Sequence, residues 1–246
     1  MSTRSYGWRP PLSDRRDYRL ARSRSARTLA DIISLRSRMP VVWDQGDIGS
    51  CTGHGTAAAI VYDRTKQGLP GIMPSRLMLY YDGRIPDHTT GSDAGASIRD
   101  VVKQAAAIGY ASESLWPYVE RKVCVKPTNA AYKAALPQAG LLYRAVDRTL
   151  GGMQVALAGG LPVVIGITLY ESCESQAVEI SGVVPVPAKG EAPVGGHCMT
   201  VVGYDRGRGV FEVRNSWGAS WGDKGYCWLP FALLRDVDEA WVITHV

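Results

Sequence analysis

One stretch constrains this chain more than any other: Gln45-Gly-Asp-Ile-Gly-Ser-Cys51-Thr-Gly-His-Gly-Thr-Ala-Ala-Ala59. A glycine-punctuated loop runs into a helix that opens on a cysteine, so unpaired backbone N–H groups and the positive end of the helix dipole lie beside a thiol. That placement favours thiolate, the nucleophilic form. Far downstream the chain offers Gly195-Gly-His197-Cys-Met and then Val213-Arg-Asn215-Ser-Trp217-Gly, so Cys, His and Asn occur in a fixed order. A thiol paired with an imidazole is the machinery of nucleophilic cysteine catalysis.

Four pieces together carry a resemblance. They are Gln45 six residues before Cys51, a Gly-Ser-Cys start to a small-residue helix, a Gly-His ahead of Val-Val-Gly-Tyr204, and Asn215-Ser-Trp-Gly-x-x-Trp-Gly-x-x-Gly-Tyr226. This set resembles the papain family of cysteine peptidases over about residues 40 to 246, with His197 146 positions and Asn215 164 positions after Cys51. The match departs from the family pattern in three ways. Ile48 stands where the signature has its first Cys and Thr52 where it has an aromatic. The loop Gly91-Ser-Asp-Ala-Gly95-Ala-Ser97 has no partner cysteine, so the family disulfide cannot form. A short leader precedes Met39 in place of a long pro-segment, as in a pared-down bacterial-type member.

The resemblance implies an α+β fold of two lobes, a mainly helical one over about 45–138 and a β-barrel-like one over about 139–246, with the site in the cleft between them. It implies that Cys51 attacks as thiolate and that His197 stabilises it and then protonates the leaving amine. Asn215 orients the imidazole, and Trp217 shields that hydrogen bond from water. Gln45 and the backbone N–H of Cys51 form the oxyanion hole. Gly95 presents backbone to an extended peptide, while Ile98 and Cys198 help form the apolar pocket for the side chain two residues before the cut. The same thioester resolved by an amine makes a transferase or ligase, and a chain that kept the fold without turnover makes a peptide-binding module. No cofactor is implied.

His54, three residues after Cys51, reads as structural or modulating, because its ring would have to bend toward the helix N-terminus to meet the thiol. A zinc site of Cys51, His54, His197 and Cys198 has some ligand chemistry but lacks close paired spacings. Five cysteines, Cys51, Cys124, Cys173, Cys198 and Cys227, leave four that could pair in any of 3 ways. Cys198 reads instead as a small hydrophobe beside His197.

Composition sets the scale. With 246 residues, 46% of them hydrophobic, the chain can bury one substantial core or two that share an interface. No apolar run approaches the ~20 residues of a membrane span, and the first thirty residues lack a signal-peptide core. A cytoplasmic location, or export without a cleaved signal, is the default expectation. The net charge of +5 hides an asymmetry: residues 1–39 hold ten Arg and three Asp, or +7, which leaves −2 for the rest.

In order along the chain, residues 1–38 read as an arm rather than a domain, ahead of a body at 39–246. Prolines make Tyr6-Gly-Trp8-Arg-Pro-Pro11 extended or turned. Arg15, Arg16, Arg19, Arg22, Arg24 and Arg27 follow on a polar stretch, and Thr28 to Leu35 is apolar enough to dock on the body. Three readings of the arm stand side by side: a solvated tail, a segment lying over the cleft, and an Arg-rich holder of an anionic ligand. Helices are expected at Ser50–Lys66, Ser75–Asp82, Ser97–Ile108, 130–135 and Leu150–Ala158. Strands are expected at Leu141–Val146, Pro162–Leu169, Cys198–Tyr204, Val210–Val213, Gly225–Leu229 and Trp241–Val246. Ser181 to Gly196 reads as a long connection that delivers His197 to the cleft edge.

Overall fold

The computed structural model describes residues 5–12, 14, 16–21 and 29–245. Arg15, Arg22, Arg24, Arg27 and Thr28 of the arm, and Val246, lie outside the described residues.

Helix α1 (Cys51–Gln67) ends where Gly68 adopts φ 68°, and the Gly68 N–H caps the carbonyls of Arg64 and Thr65. From Cys51 to Ile60 every residue is buried, so α1 is a central rod rather than a surface helix. Its small residues permit this. A Cβ on Gly53 would come within 2.4 Å of the Arg76 carbonyl, and one on Gly55 within 2.9 Å of the Cys198 sulfur. Helix α2 (Arg76–Gly83) is capped by Ser75 Oγ, which accepts from Met78 N–H. Helix α3 (Ile98–Ile108) is capped by Ser97 and turns Ile98, Val101, Val102 and Ala105 inward. With α4 (Asn129–Ala135) these make the helical lobe.

The β lobe begins inside the leader. Strand β1 (Ile32–Ser34) pairs antiparallel with Gly203–Asp205 of β4 (Pro193–Asp205), and Leu35 N–H donates to the Val202 carbonyl. The remaining strands are β2 (Leu142–Ala145), β3 (Val163–Tyr170), β5 (Val210–Arg214), β6 (Tyr226–Pro230) and β7 (Val237–Thr244), with α5 (Leu150–Ala158) packed on β3 and β4. Neighbours run in the order β2-β7-β3-β4-β5-β6, antiparallel throughout. The expectation of a barrel-like lobe is corrected in this respect: the sheet does not close, and β2 and β6 are its ends. Its core includes Met153, Ile165, Val201, Phe211 and Val213.

Two other expectations change. His197 sits inside a strand rather than at the end of a loop, because β4 starts at Pro193 and pairs His197 with Ile167. Just ahead of the expected connection, a short helix α6 (Gln176–Ser181) closes on Gly182 at φ 70°. Strand β7 starts four residues earlier than expected, since Val237 to Ala240 find partners on β3 that the local pattern does not announce. No described helix is long and apolar enough to cross a membrane.

Candidate active site

Cys51 opens α1, His197 lies on β4, and Asn215 follows β5, so three elements deliver these side chains to one place. His197 Nε2 hydrogen-bonds Asn215 Oδ1 at 2.7 Å. As Asn215 Oδ1 also accepts the Ser216 N–H at 2.8 Å, it acts as the acceptor, and His197 carries its proton on Nε2. Trp217 stacks on the imidazole with centroids 4.7 Å apart and planes 25° from parallel. It covers the hydrogen bond, and Trp221 packs edge-on behind it.

Cys51 is fully buried. Backbone groups of Cys198, Gly7 and Thr52 hydrogen-bond its sulfur and favour the thiolate, yet burial outweighs them and pushes the thiol up to about 11. In this closed arrangement burial thus opposes the thiolate that the start of α1 favours. All five cysteines are free.

Gln45 is fixed on both faces of its amide. Oε1 accepts from Ser216 Oγ at 2.6 Å, which leaves Nε2 as the donor. That donor meets the carbonyls of Ile48 at 3.0 Å and Ser5 at 3.1 Å. His54 faces away from this chemistry. Its Nε2 accepts from the Arg76 guanidinium at 3.1 Å, so Nδ1–H is the donor to the Ser50 carbonyl, also at 3.1 Å. Burial first, and then Arg76, pulls His54 down to about 3, so it is neutral. Arg76 in turn pairs with Glu113.

The arm occupies the cleft. Tyr6 sets its ring edge-on to His197, centroids 6.0 Å apart, and to Trp217, with its hydroxyl on Glu174. Gly7 lies against Gly49 and Cys51, and a Cβ there would sit 1.6 Å from the Gly49 carbonyl oxygen. Its carbonyl accepts from Ala96 N–H at 2.8 Å, and Arg9 N–H donates to the Ala96 carbonyl at 3.1 Å, a parallel bridge centred on Trp8. Ala96 thus offers the backbone groups expected of Gly95, whose φ of 76° and missing Cβ let Gly7 pass.

Trp8 is buried in a cluster with Ile98, Cys198, Val164 and Trp241. Its indole N–H donates to Glu239 Oε2 at 2.7 Å. Sequence reasoning passed over Glu239, whose burial on β7 raises its pKa against four N–H donors; with Asp238 beside it and the strand expected to begin only at Trp241, no local signal marked it. Beyond the cleft, Arg99 grips Asp14 and Asp17 of the arm. Several described arm arginines are engaged with carboxylates: Arg9 with Asp87, Arg16 with Asp14, Arg19 with Asp147 and Arg36 with Asp223.

The sequence model of the papain family cysteine proteases matches residues 30–238. The chain belongs to that family. This papain-family chain is 32% identical to xylellain, a cysteine protease from Xylella fastidiosa, whose crystal structure superposes with a TM-score of 0.91 over 99% of this chain and 97% of that one. It is 34% identical to a peptidase C1-like protein of Acanthamoeba polyphaga mimivirus, covering 89% of this chain and 74% of the relative. Cysteine proteinase 3 of Entamoeba histolytica is 28% identical over 83% of this chain and 62% of its own length. As a family member the chain is a cysteine peptidase.

Proposed function

We propose that this peptidase cleaves peptide bonds through a Cys51 thioester and that residues 5–12 of the arm hold the cleft shut. His197 takes the Cys51 proton as the arm departs, and Sγ attacks the carbonyl carbon. Gln45 Nε2 and the Cys51 N–H hold the oxyanion. His197 then gives its proton to the leaving amine, and water, deprotonated by the same imidazole, releases the acid. Asn215 keeps the ring turned throughout, while Trp217 keeps water from competing for the hydrogen bond.

The observation that carries this reading is the path of the arm. A substrate must place its leaving amine toward His197 and Trp217, so its amino side extends toward Ala96. The arm runs from Tyr6, beside His197, to Trp8, beside Ala96, which is the opposite polarity. A reversed peptide puts the amine of any bond at Sγ away from the acid that must protonate it. The arm can therefore fill the cleft without being cut.

The test follows a peptide amide through mass spectrometry, with and without an added amine, using the full chain carrying Gly7→Leu to displace the arm. Hydrolysed product that disappears in the Cys51→Ala version supports the reading. Amine adducts as the main product would replace it with acyl transfer.

A further inference from the structure

We infer that Arg36, at the base of the leader, is a positioning residue for the hydrolysis: it braces the turn Trp221–Tyr226, and that turn fixes Asn215 and Trp217 against His197. This rests on the peptidase reading and adds to it a residue that touches neither substrate nor the reacting atoms.

The turn needs an outside hold. Gly222, Lys224 and Gly225 all take left-handed φ, of 59°, 54° and 85°, and Lys224 does so with a side chain, which costs energy. Strained backbone persists where its surroundings over-determine it. Arg36 Nη1 donates to Asp223 Oδ2 at 2.8 Å and Nη2 to the Asp223 carbonyl at 2.7 Å. One planar fork thus holds both the side chain and the main chain of the residue ahead of Lys224. The same guanidinium lies over the Tyr226 ring, 4.0 Å from its centroid. It also donates at 3.3 Å to Glu212 of β5, whose other oxygen accepts from Ser34 Oγ at 2.6 Å. Because Ser34 pairs with β4 and Leu35 N–H bonds the Val202 carbonyl, Arg36 is itself anchored to the sheet.

Two contacts run from the turn to the site. The Gly225 carbonyl accepts the Asn215 N–H at 3.0 Å, and Asn215 Oδ1 meets His197 Nε2. Trp221 packs edge-on against Trp217, centroids 4.9 Å apart, behind the ring that stacks on the imidazole. Residues that follow Arg36 tighten the same seam. The carbonyls of Pro40 and Val41 accept from Arg214, next to Asn215, and a Cβ on Gly225 would lie 2.5 Å from Val42. One leader therefore covers the cleft with residues 5–12 and steadies the imidazole with its base.

The experiment uses the full chain with Gly7→Leu and compares it with the same chain carrying Arg36→Ala or Arg36→Lys. Active sites are counted with an irreversible thiol alkylator, so that kcat is expressed per competent Cys51. A merely structural loss lowers the count and leaves kcat per site alone. We expect kcat per site to fall about tenfold in Arg36→Ala with KM little changed, a fraction of the ~10² that a misplacement of about 1 Å costs. The pH profile of kcat/KM should move with it, since Asn215 bonds the titrating ring. Arg36→Lys keeps the charge but loses the fork and the flat stacking face, so it should fall between the two, and it carries the comparison where the alanine form does not fold. Adding Asp223→Ala to Arg36→Ala should lower kcat little further, because the pair acts as a unit. Equal kcat per site in parent and Arg36 variants overturns this inference and leaves the peptidase reading standing. If the Gly7→Leu chain hydrolyses nothing, the peptidase reading fails, and the pH profile of Cys51 alkylation decides instead. A shift between that chain and its Arg36→Ala form supports the brace, and superposable profiles overturn it.

Discussion

The side-chain amide of Gln45 donates to the backbone carbonyl of Ser5 at 3.1 Å, while Ser216 Oγ holds the other end of that amide at 2.6 Å. The donor proposed to steady an oxyanion is thus already aimed by the body of the protein, and an arm carbonyl occupies it.

Gly7→Leu should release the site. The nearest atoms to a side chain at residue 7 are backbone atoms of Gly49, which cannot yield as a flexible side chain could. Hydrolysis of a peptide amide by the full chain should rise by roughly tenfold or more, the factor by which a closed population lowers apparent activity. Equal rates for the two proteins would show that the arm does not limit access.

Alkylation should report the state of the thiol. In the closed chain burial holds Cys51 near 11, so thiolate grows about tenfold per pH unit across the neutral range and labelling by iodoacetamide stays slow below it. Displacing the arm removes the burial while the helix dipole and His197 remain, so the labelling profile of Gly7→Leu should shift to lower pH. Mass mapping of Cys51 against exposed Cys124 supplies the internal standard.

Gln45→Ala and Asn215→Ala, each in the Gly7→Leu background, should separate two roles. Loss of one oxyanion donor lowers kcat by ~10²–10³ with little change in KM. Loss of Asn215 frees the imidazole to rotate, and a misplacement of about 1 Å costs about 10² in rate. Of the two, only Asn215→Ala should also alter the pH profile, since Asn215 alone touches the titrating ring.

His54 should govern acid stability rather than catalysis. Its folded pKa, held down to about 3 by burial and then by Arg76, lies below the ~6.5 of an unfolded histidine. The unfolded chain therefore binds the extra proton, so stability falls as pH drops below about 6.5, by up to about 1.4 kcal/mol per pH unit until His54 itself titrates. Denaturant unfolding of His54→Gln should show a shallower loss between pH 6 and 4 than the parent chain. Identical slopes would assign the acid sensitivity to other groups.

Much of the fold was legible because its signals are local. The small residues after Cys51 and the glycine at 68 bound α1 within one residue, and Leu150–Ala158 forms the expected helix. Apolar β-branched runs marked the central strands to within a few residues. Where pairing reached across the chain the reading slipped: β7 began early, β4 absorbed the end of a supposed loop, and the sheet stayed open. Register and closure depend on partners distant in sequence, and no local pattern encodes them.

The sequence by itself determined the chemistry on offer, since a cysteine at a helix start, a Gly-His strand, an Asn-Ser-Trp turn and an upstream glutamine are side-chain identities at fixed spacings. It also determined the family those spacings belong to. Tertiary structure decided the rest: that the arm runs past His197 and bridges in parallel to Ala96, that Ala96 rather than Gly95 pairs with it, that a carboxylate from β7 meets Trp8, and that Cys51 is buried. Each of these turns on which groups lose contact with water together. Desolvation is a property of the assembled neighbourhood, so the Cys51 that the helix start pulls toward thiolate is pushed the other way by burial once Gly7 lies over it.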